Sequence, residues 1–320
     1  MISWEIIAGG VEFFHLDMER FMPLKKFYES VDPELLARCC KAAAAYPAPF
    51  PLAEVEKTFA AADLRRFLLL CIVANYEHLR EYYRTNGFPA GMLEEIRWDL
   101  RVWLDTLYRD YDEYGLTPRI FDWECQCLTG VVRQFGRLQA NDLHLFFPKL
   151  SVWRQPDGKL EVKSAFMPDN PPQPDLTWGD RTINIHIPAS GTLDRKECIK
   201  SLRKMDEFFR EFHPDYDYKA VVCYSWLLDE TFKSLLKPES NIVRFQQLGH
   251  VLPLAGMDQT AEVRWRIWGR KFADTPAEEL PVTNSMKRNV AGYFARGGKF
   301  NEGMLIIFRD ELPQLFSEID

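Results

Sequence analysis

Thr182 to Ile187 alternates strictly, with Ile183, Ile185 and Ile187 on one side and Thr182, Asn184 and His186 on the other. A period of two over six residues fits a half-buried strand and not a helix. The next 25 residues or so narrow the fold further. After a Pro188-Ala189-Ser190-Gly191 turn, Cys198, Leu202, Met205, Phe209 and Phe212 recur at spacings of 4, 3, 4 and 3. That is the stripe of an amphipathic helix. Thr192 is its expected cap, with Asp194 in its first turn, and His213-Pro214-Asp215 ends it. Lys219 to Trp226 (KAVVCYSW) reads as a second strand, and Asp229 as the cap of a short helix broken at Pro238-Glu239-Ser240-Asn241. Strands joined by about 30 residues with a helix inside are most readily parallel neighbours.

Upstream, the pattern is helical. Asp32-Pro33-Glu34 supplies a cap, a proline at the first helical position and an acid in the first turn, and Leu35, Leu36, Cys39, Cys40 and Ala43 come next. A long helix is expected over about residues 63–85, stopped by Asn86-Gly87-Phe88-Pro89, and another over about 91–114, closed before Pro118. Beyond Pro118, Gly136-Arg137-Leu138-Gln139, Leu143 to Leu150, Lys159 to Met167 and Gly303 to Phe308 read as strands. Residues 168–176, with four prolines, read as an irregular loop, and Trp265-Arg266-Ile267-Trp268 as a strand with alternating aromatics. The expected division is a helical N-terminal domain, 1–117, and an α/β C-terminal domain, 118–320.

Composition removes several classes of function. Acidic side chains number 47 against 40 basic ones, for a formal charge of −7. That balance argues against a nucleic-acid binder and against an anionic-membrane binder. The longest apolar run, Phe67 to Ala74, has eight residues, far short of the roughly 20 that span a bilayer. The N-terminus has no basic region followed by a long apolar run, so no signal peptide is expected. The seven cysteines lack zinc-type pairing and read as reduced thiols, and the six histidines are scattered. A cytoplasmic protein without a metal site is expected.

The loop from Pro188 to Thr192 has chemical consequences. Unpaired N–H groups at a helix N-terminus, together with the helix dipole, favour phosphate or pyrophosphate. Arg195, Lys196, Lys200, Arg203 and Lys204 add positive charge on the same helix. The same sequence is also compatible with a plain strand-to-helix turn beside a solvated basic face. A Gly-Gly segment flanked by Arg296 and Lys299 is a second possible anion grip, or a simple turn.

The combination of INIHIPASG (183–191), the helix after it, VCYSWLLD (222–229) and SNIVRFQQLG (240–249) resembles a group of bacterial two-domain acyltransferase-like proteins. These pair a helical N-acyltransferase-type N-terminal domain with a C-terminal domain similar to the GNAT-type N-acetyltransferase fold. Gly136-Arg137-Leu138-Gln139 is a further match. The resemblance implies an α+β or α/β architecture, a helical N-terminal domain followed by a GNAT-like mixed sheet with flanking helices. It implies acyl-CoA, acetyl-CoA included, as co-substrate, and transfer of an acetyl or short acyl group to the amine of a small-molecule acceptor. In that fold the fourth and fifth strands splay apart around the pantetheine, places that TINIHI and AVVCYSW would take. Ile187, Pro188, Ala189, Ser190, Gly191 and Thr192, with Arg195 and Lys196, would hold the pyrophosphate. This loop has a proline and one glycine where that family's loop has Arg or Gln and two small residues. A catalytically silent GNAT-like module that binds a ligand or a partner therefore stands as the alternative.

Amide formation from a thioester needs a base for the amine and a proton for the leaving thiolate. His186, on the polar face beside the loop, is the expected base, with an ordinary pKa near 6.5. Tyr224 and Ser225, at the end of the next strand, are the candidates for proton return. Ser225 or Cys223 is expected to share the face of His186, with Tyr224 on the other. A Cys223–His186 thiolate pair is a weaker reading, because nothing places a third, orienting residue.

Overall fold

The computed structural model describes residues 2–165 and 173–320. The end of the strand reading at Phe166-Met167 and most of the proline-rich loop lie outside the described residues. The chain divides into two compact units, Met1–Gln134 with Pro188–Ser190, and Phe135–Ile187 with Gly191–Asp320.

The first unit is helical. Its central helix is Ala61–Val73, in which every side chain from Phe67 to Val73 is buried. A helix apolar all round must be surrounded. Trp4–Phe13, Leu24–Ser30, Pro33–Ala43, Leu52–Thr58 and Pro118–Leu128 pack around it. The approach of Trp4–Phe13 demands Gly10, since a Cβ there would sit 2.1 Å from the Val73 carbonyl oxygen. Glu113 ties the central helix to the chain after Asp99–Tyr111, accepting from Arg66 at 2.6 Å and from Arg65.

Both of the expected long helices are broken by tertiary contacts. The first is Ala61–Val73 followed by Tyr76–Thr85. At the break Asn75 Nδ2 donates to the Cys71 and Cys40 carbonyls, at 2.8 and 2.9 Å, while its backbone N–H bonds Ile72 instead. A short amide side chain competes in this way with the helix ladder. The second is Ala90–Ile96 followed by Asp99–Tyr111. There Arg97 donates to His15 and Trp98 stacks on the same ring at 4.2 Å.

Among the described residues, the second unit is built on nine strands: β1 (Arg133–Phe135, which begins in the first unit), β2 (Leu138–His144), β3 (Leu150–Arg154), β4 (Leu160–Ser164), β5 (Leu176–Thr177), β6 (Arg181–His186), β7 (Ala220–Ser225), β8 (His250–Asp258) and β9 (Asn301–Phe308). Six form a sheet in the order β1-β2-β6-β7-β9-β8, and three a small sheet in the order β4-β3-β5. β6 and β7 run parallel, and the helix Arg195–Phe212 connects them as their spacing requires. β2/β6, β7/β9 and β8/β9 are antiparallel, so the sheet is mixed. Ala220, Val222, Met304, Ile306 and Phe308 of one face join Leu150, Val152 and Leu176 of the small sheet in one apolar cluster.

Three local readings are corrected. Gly136 and Arg137 form the turn between β1 and β2, with Gly136 at φ +74°, instead of entering the strand. Leu143 to Leu150 is not one strand, because β2 ends at His144 and β3 begins at Leu150. Trp265 to Trp268 closes a helix, Thr260–Trp268, started by Asp258 accepting from the Thr260 N–H at 2.8 Å. Arg266 and Glu262 pair across one turn of it at 2.8 Å. All seven cysteines are free and buried.

Candidate functional site

β6 and β7 are in register at Thr182–Ala220, Ile183–Val221 and Asn184–Val222. The ladder stops there, although β6 continues to His186 and β7 to Ser225. Paired residues of parallel strands point to the same side, and alternation carries this forward. His186 and Tyr224 therefore share one face, while Cys223 and Ser225 lie on the other, the reverse of the sequence expectation. Counting along one strand cannot fix the offset between two strands, and this offset pairs even-numbered residues.

β2 completes the polar side of this face. Its register places Gln139 opposite His186 and Asn141 opposite Asn184. His186 Nε2 lies 2.7 Å from Asn141 Oδ1 and 3.3 Å from Asn184 Nδ2. Asn141 Nδ2 donates to the Asp142 carbonyl at 2.8 Å. Asn184 Oδ1 is buried without a hydrogen-bond partner among the described residues. Burial pushes the His186 pKa down to about 4, so the ring is neutral at physiological pH, away from the near-neutral titration expected of it.

Tyr224 donates its hydroxyl hydrogen bond to the Phe147 carbonyl, and burial pushes its pKa up. It packs with Leu252 and Met257 against the apolar cluster that contains Met304. Ser225 has a structural task, accepting from the Leu227 N–H at 3.1 Å to start the turn Trp226–Leu228.

The loop and helix start also differ from expectation. Ala189, Ser190, Gly191 and Thr192 are exposed, Ile187 and Pro188 half-buried, and Gly191 adopts φ +68°. Asp194, not Thr192, is the cap, and its Oδ1 accepts from the N–H groups of Lys196 and Glu197 at 2.9 and 3.2 Å. A carboxylate already satisfies the donors expected for a phosphate. Arg195 forms a two-pronged ion pair with Glu318 and donates to the Arg244 carbonyl, so it is committed elsewhere. Lys196 is exposed at the start of the helix.

Arg137 was not singled out in the sequence as a site residue. From the β1–β2 turn its Nε donates to the Thr192 carbonyl at 2.8 Å, while Nη1 is buried without a hydrogen-bond partner among the described residues. The Ser201 hydroxyl holds this turn, accepting from the N–H groups of Arg137 and Leu138. Reading Gly136-Arg137 as strand hid the side chain that reaches the loop. Beside the Gly-Gly segment, Lys299 lies 3.9 Å from Asp258.

In the helical unit, Asp99, Glu124 and Cys127 bring potential donor atoms within 4.8 Å of one another, all buried. Burial beside Asp99 holds the Glu124 carboxyl well above the usual range, and Trp123 Nε1 donates to Asp99 at 2.8 Å. A shared proton accounts for the pairing of these two carboxyls. No helix among the described residues is long and apolar enough to cross a membrane.

Residues 132–305 match the sequence profile of the GNAT-like C-terminal domain, and the chain belongs to that family. Three solved structures share the fold over most of their length. An acyltransferase in complex with decanoyl-CoA superposes with a TM-score of 0.63 at 21% identity, covering 85% of this chain and 76% of that one. An acyltransferase in complex with decanoyl-CoA and teicoplanin gives 0.63 at 20% identity, covering 87% and 80%. An acyltransferase variant in complex with octanoyl-CoA gives 0.67 at 18% identity, covering 94% and 87%. No curated protein sequence gives a significant match. The expected architecture, a helical N-terminal region followed by a GNAT-like mixed sheet with flanking helices, is the one observed.

Proposed function

We propose that the chain is an acyl-CoA-dependent N-acyltransferase that acts on an amine of a small-molecule acceptor. The observation that carries this reading is the early end of the β6–β7 ladder at Asn184–Val222, with His186 and Tyr224 beyond it on one face. In this reading the thioester lies at that divergence. The acceptor nitrogen gives its proton to His186 and attacks the carbonyl, the N–C bond forms, the C–S bond breaks, and the CoA thiolate takes a proton from Tyr224. Tyr224 must first release the Phe147 carbonyl. A neutral His186 is ready to accept a proton, and its low pKa makes it a weak base that works down to acidic pH. The Ile187–Thr192 segment, exposed from Ala189 onward, is assigned with Lys196 and Arg137 to the pyrophosphate. Arg195 and Ser225 are given no role.

Bound decanoyl- and octanoyl-CoA in structures of the same fold support a medium-length acyl group as well as the acetyl group expected from sequence. Leu252 and Met257, which pack against the same apolar cluster as Tyr224, offer apolar surface suited to an alkyl chain. The teicoplanin complex is the precedent for a small-molecule acceptor. The test is release of free CoA thiol from acetyl-, octanoyl- and decanoyl-CoA in the presence of an amine panel. Turnover with any of them supports the reading, and none with all three contradicts it.

A second reading, a silent GNAT-like module, rests on Asp194. Its carboxylate holds the N–H groups that a pyrophosphate would use. Saturable binding of CoA without turnover would favour it.

A further inference from the structure

We propose that Ser201 is a positioning residue: through the β1–β2 turn it presents the Arg137 guanidinium to the phosphate groups of acyl-CoA. This role rests on the acyl-CoA reading and deepens it, because it lets the site tell CoA from phosphate-free pantetheine. A serine hydroxyl has one hydrogen and two lone pairs, and here all three are used. Ser201 donates to the Glu197 carbonyl one helical turn back, at 2.9 Å. It accepts from the Arg137 N–H at 2.9 Å and from the Leu138 N–H at 3.3 Å. With its hydrogen committed to the helix, the hydroxyl turns its lone pairs to the turn. Ser201 is buried, and a Cβ on Gly136 would lie 3.4 Å from its oxygen, so the turn sits directly on this side chain.

The turn held in this way sends Arg137 towards the loop. Its Nε donates to the Thr192 carbonyl at 2.8 Å, and Nη1 is buried without a hydrogen-bond partner among the described residues. Burial lowers the Arg137 pKa from its ordinary value, and among the described residues Cys198, not a carboxylate, is the group that works against it. An uncompensated charge on a half-buried side chain costs stability, and a phosphate supplies the missing partner. CoA carries such groups and its pantetheine portion carries none.

The test is calorimetric titration of the full chain with decanoyl-CoA and with decanoyl-pantetheine, which share the thioester and differ in the phosphates and nucleotide. Ser201→Ala should weaken decanoyl-CoA by about fivefold and leave decanoyl-pantetheine within about twofold. Added to Arg137→Met, it should cost no further affinity, because the two side chains act as one unit. Should Ser201→Ala melt below the assay temperature, Ser201→Cys repeats the measurement with a weak acceptor of similar size, and the same loss is expected. Wild-type affinity for decanoyl-CoA in the folded variant overturns the role. So does equal weakening of both thioesters, or a loss that adds in full to that of Arg137→Met. A wild type that binds both thioesters equally keeps the acyl site but removes the phosphate contact of Arg137, and the part of Ser201 with it. A wild type that binds neither removes the acyl-CoA reading itself.

Discussion

Asn184 is the last residue of β6 in register with β7, opposite Val222, and each strand runs on past that pair. The pairing has two consequences. It sets His186 and Tyr224 on one face, and it leaves the backbone beyond Asn184 and Val222 outside the β6–β7 ladder. Thioester carbonyls are polarised by such N–H groups. Everything proposed for the site depends on this offset.

The depressed pKa of His186 has a measurable sign. Its folded value, about 4, lies below the ordinary 6.5. The unfolded chain therefore binds the proton more readily, and the stability from keeping the ring neutral is present above pH 6.5 and lost as pH falls towards 4. One pKa unit corresponds to about 1.4 kcal/mol, so even half of the shift, allowing for partial exposure, amounts to about 1–2 kcal/mol. Urea denaturation of the wild type and His186→Gln at pH 7.5 and pH 4.5 should show the wild type losing that much more on acidification. Parallel losses in the two proteins contradict the assignment. The acid limb of turnover should likewise fall near pH 4, and a limb at pH 6–7 contradicts a buried, uncharged base.

Asp194 separates cap from charge. Asp194→Ala should cost about 1 kcal/mol of stability, the usual value of an N-cap. Asp194→Asn keeps the cap oxygen and removes a negative charge from the loop, so stability should hold while KM for acyl-CoA falls by a few-fold. Steady-state kinetics and denaturation on the two variants decide it. An unchanged or raised KM in Asp194→Asn argues that no phosphate approaches this helix start.

The Asp99–Glu124 pair behaves in the opposite sense to His186. Glu124 is held protonated by burial, so its folded pKa lies above the unfolded one. Its contribution is complete below the unfolded value and is lost as pH rises. Glu124→Gln, neutral at every pH, should gain on the wild type by about 1 kcal/mol or more between pH 5 and pH 8.5. A stability difference that does not change with pH means the carboxyl is ionised in the fold.

Gly10→Ala tests the packing of the helical unit. The added Cβ would meet the Val73 carbonyl oxygen at 2.1 Å and Val73 Cγ1 at 2.7 Å, both on a fully buried helix end. Overpacking of this kind costs about 1–3 kcal/mol. A melting temperature unchanged from wild type contradicts the observed approach.

Much of this architecture was legible in the sequence where one physical signal dominated. The alternation of Thr182 to Ile187, the stripe from Cys198 to Phe212 and the Asp32-Pro33-Glu34 start all gave elements where expected. The failures share a cause. Asn75 and the His15–Trp98 stack break helices through partners 35 or more residues away, which periodicity cannot register. Trp265 to Trp268 alternates like a strand, yet these residues close a helix whose first N–H, at Thr260, is held by Asp258 just before the Gln259 cap position. In the site, His186 and Tyr224 were chosen by residue type and strand position, but their common face was not, because register belongs to two strands together. Arg137 and Asn141 carried no signal of their own. Each matters through a single hydrogen bond, to Thr192 and to His186.

The central claim is that this face receives acyl-CoA. Calorimetric titration of the full chain with CoA and then decanoyl-CoA tests it most directly, with Arg137→Met as the comparison. Saturable binding of both is expected, weakened about tenfold in the variant. A ligand present at a hundredfold excess over its dissociation constant should also raise stability by about 2.7 kcal/mol. Absence of heat and of any thermal shift with either ligand at millimolar concentration contradicts the account.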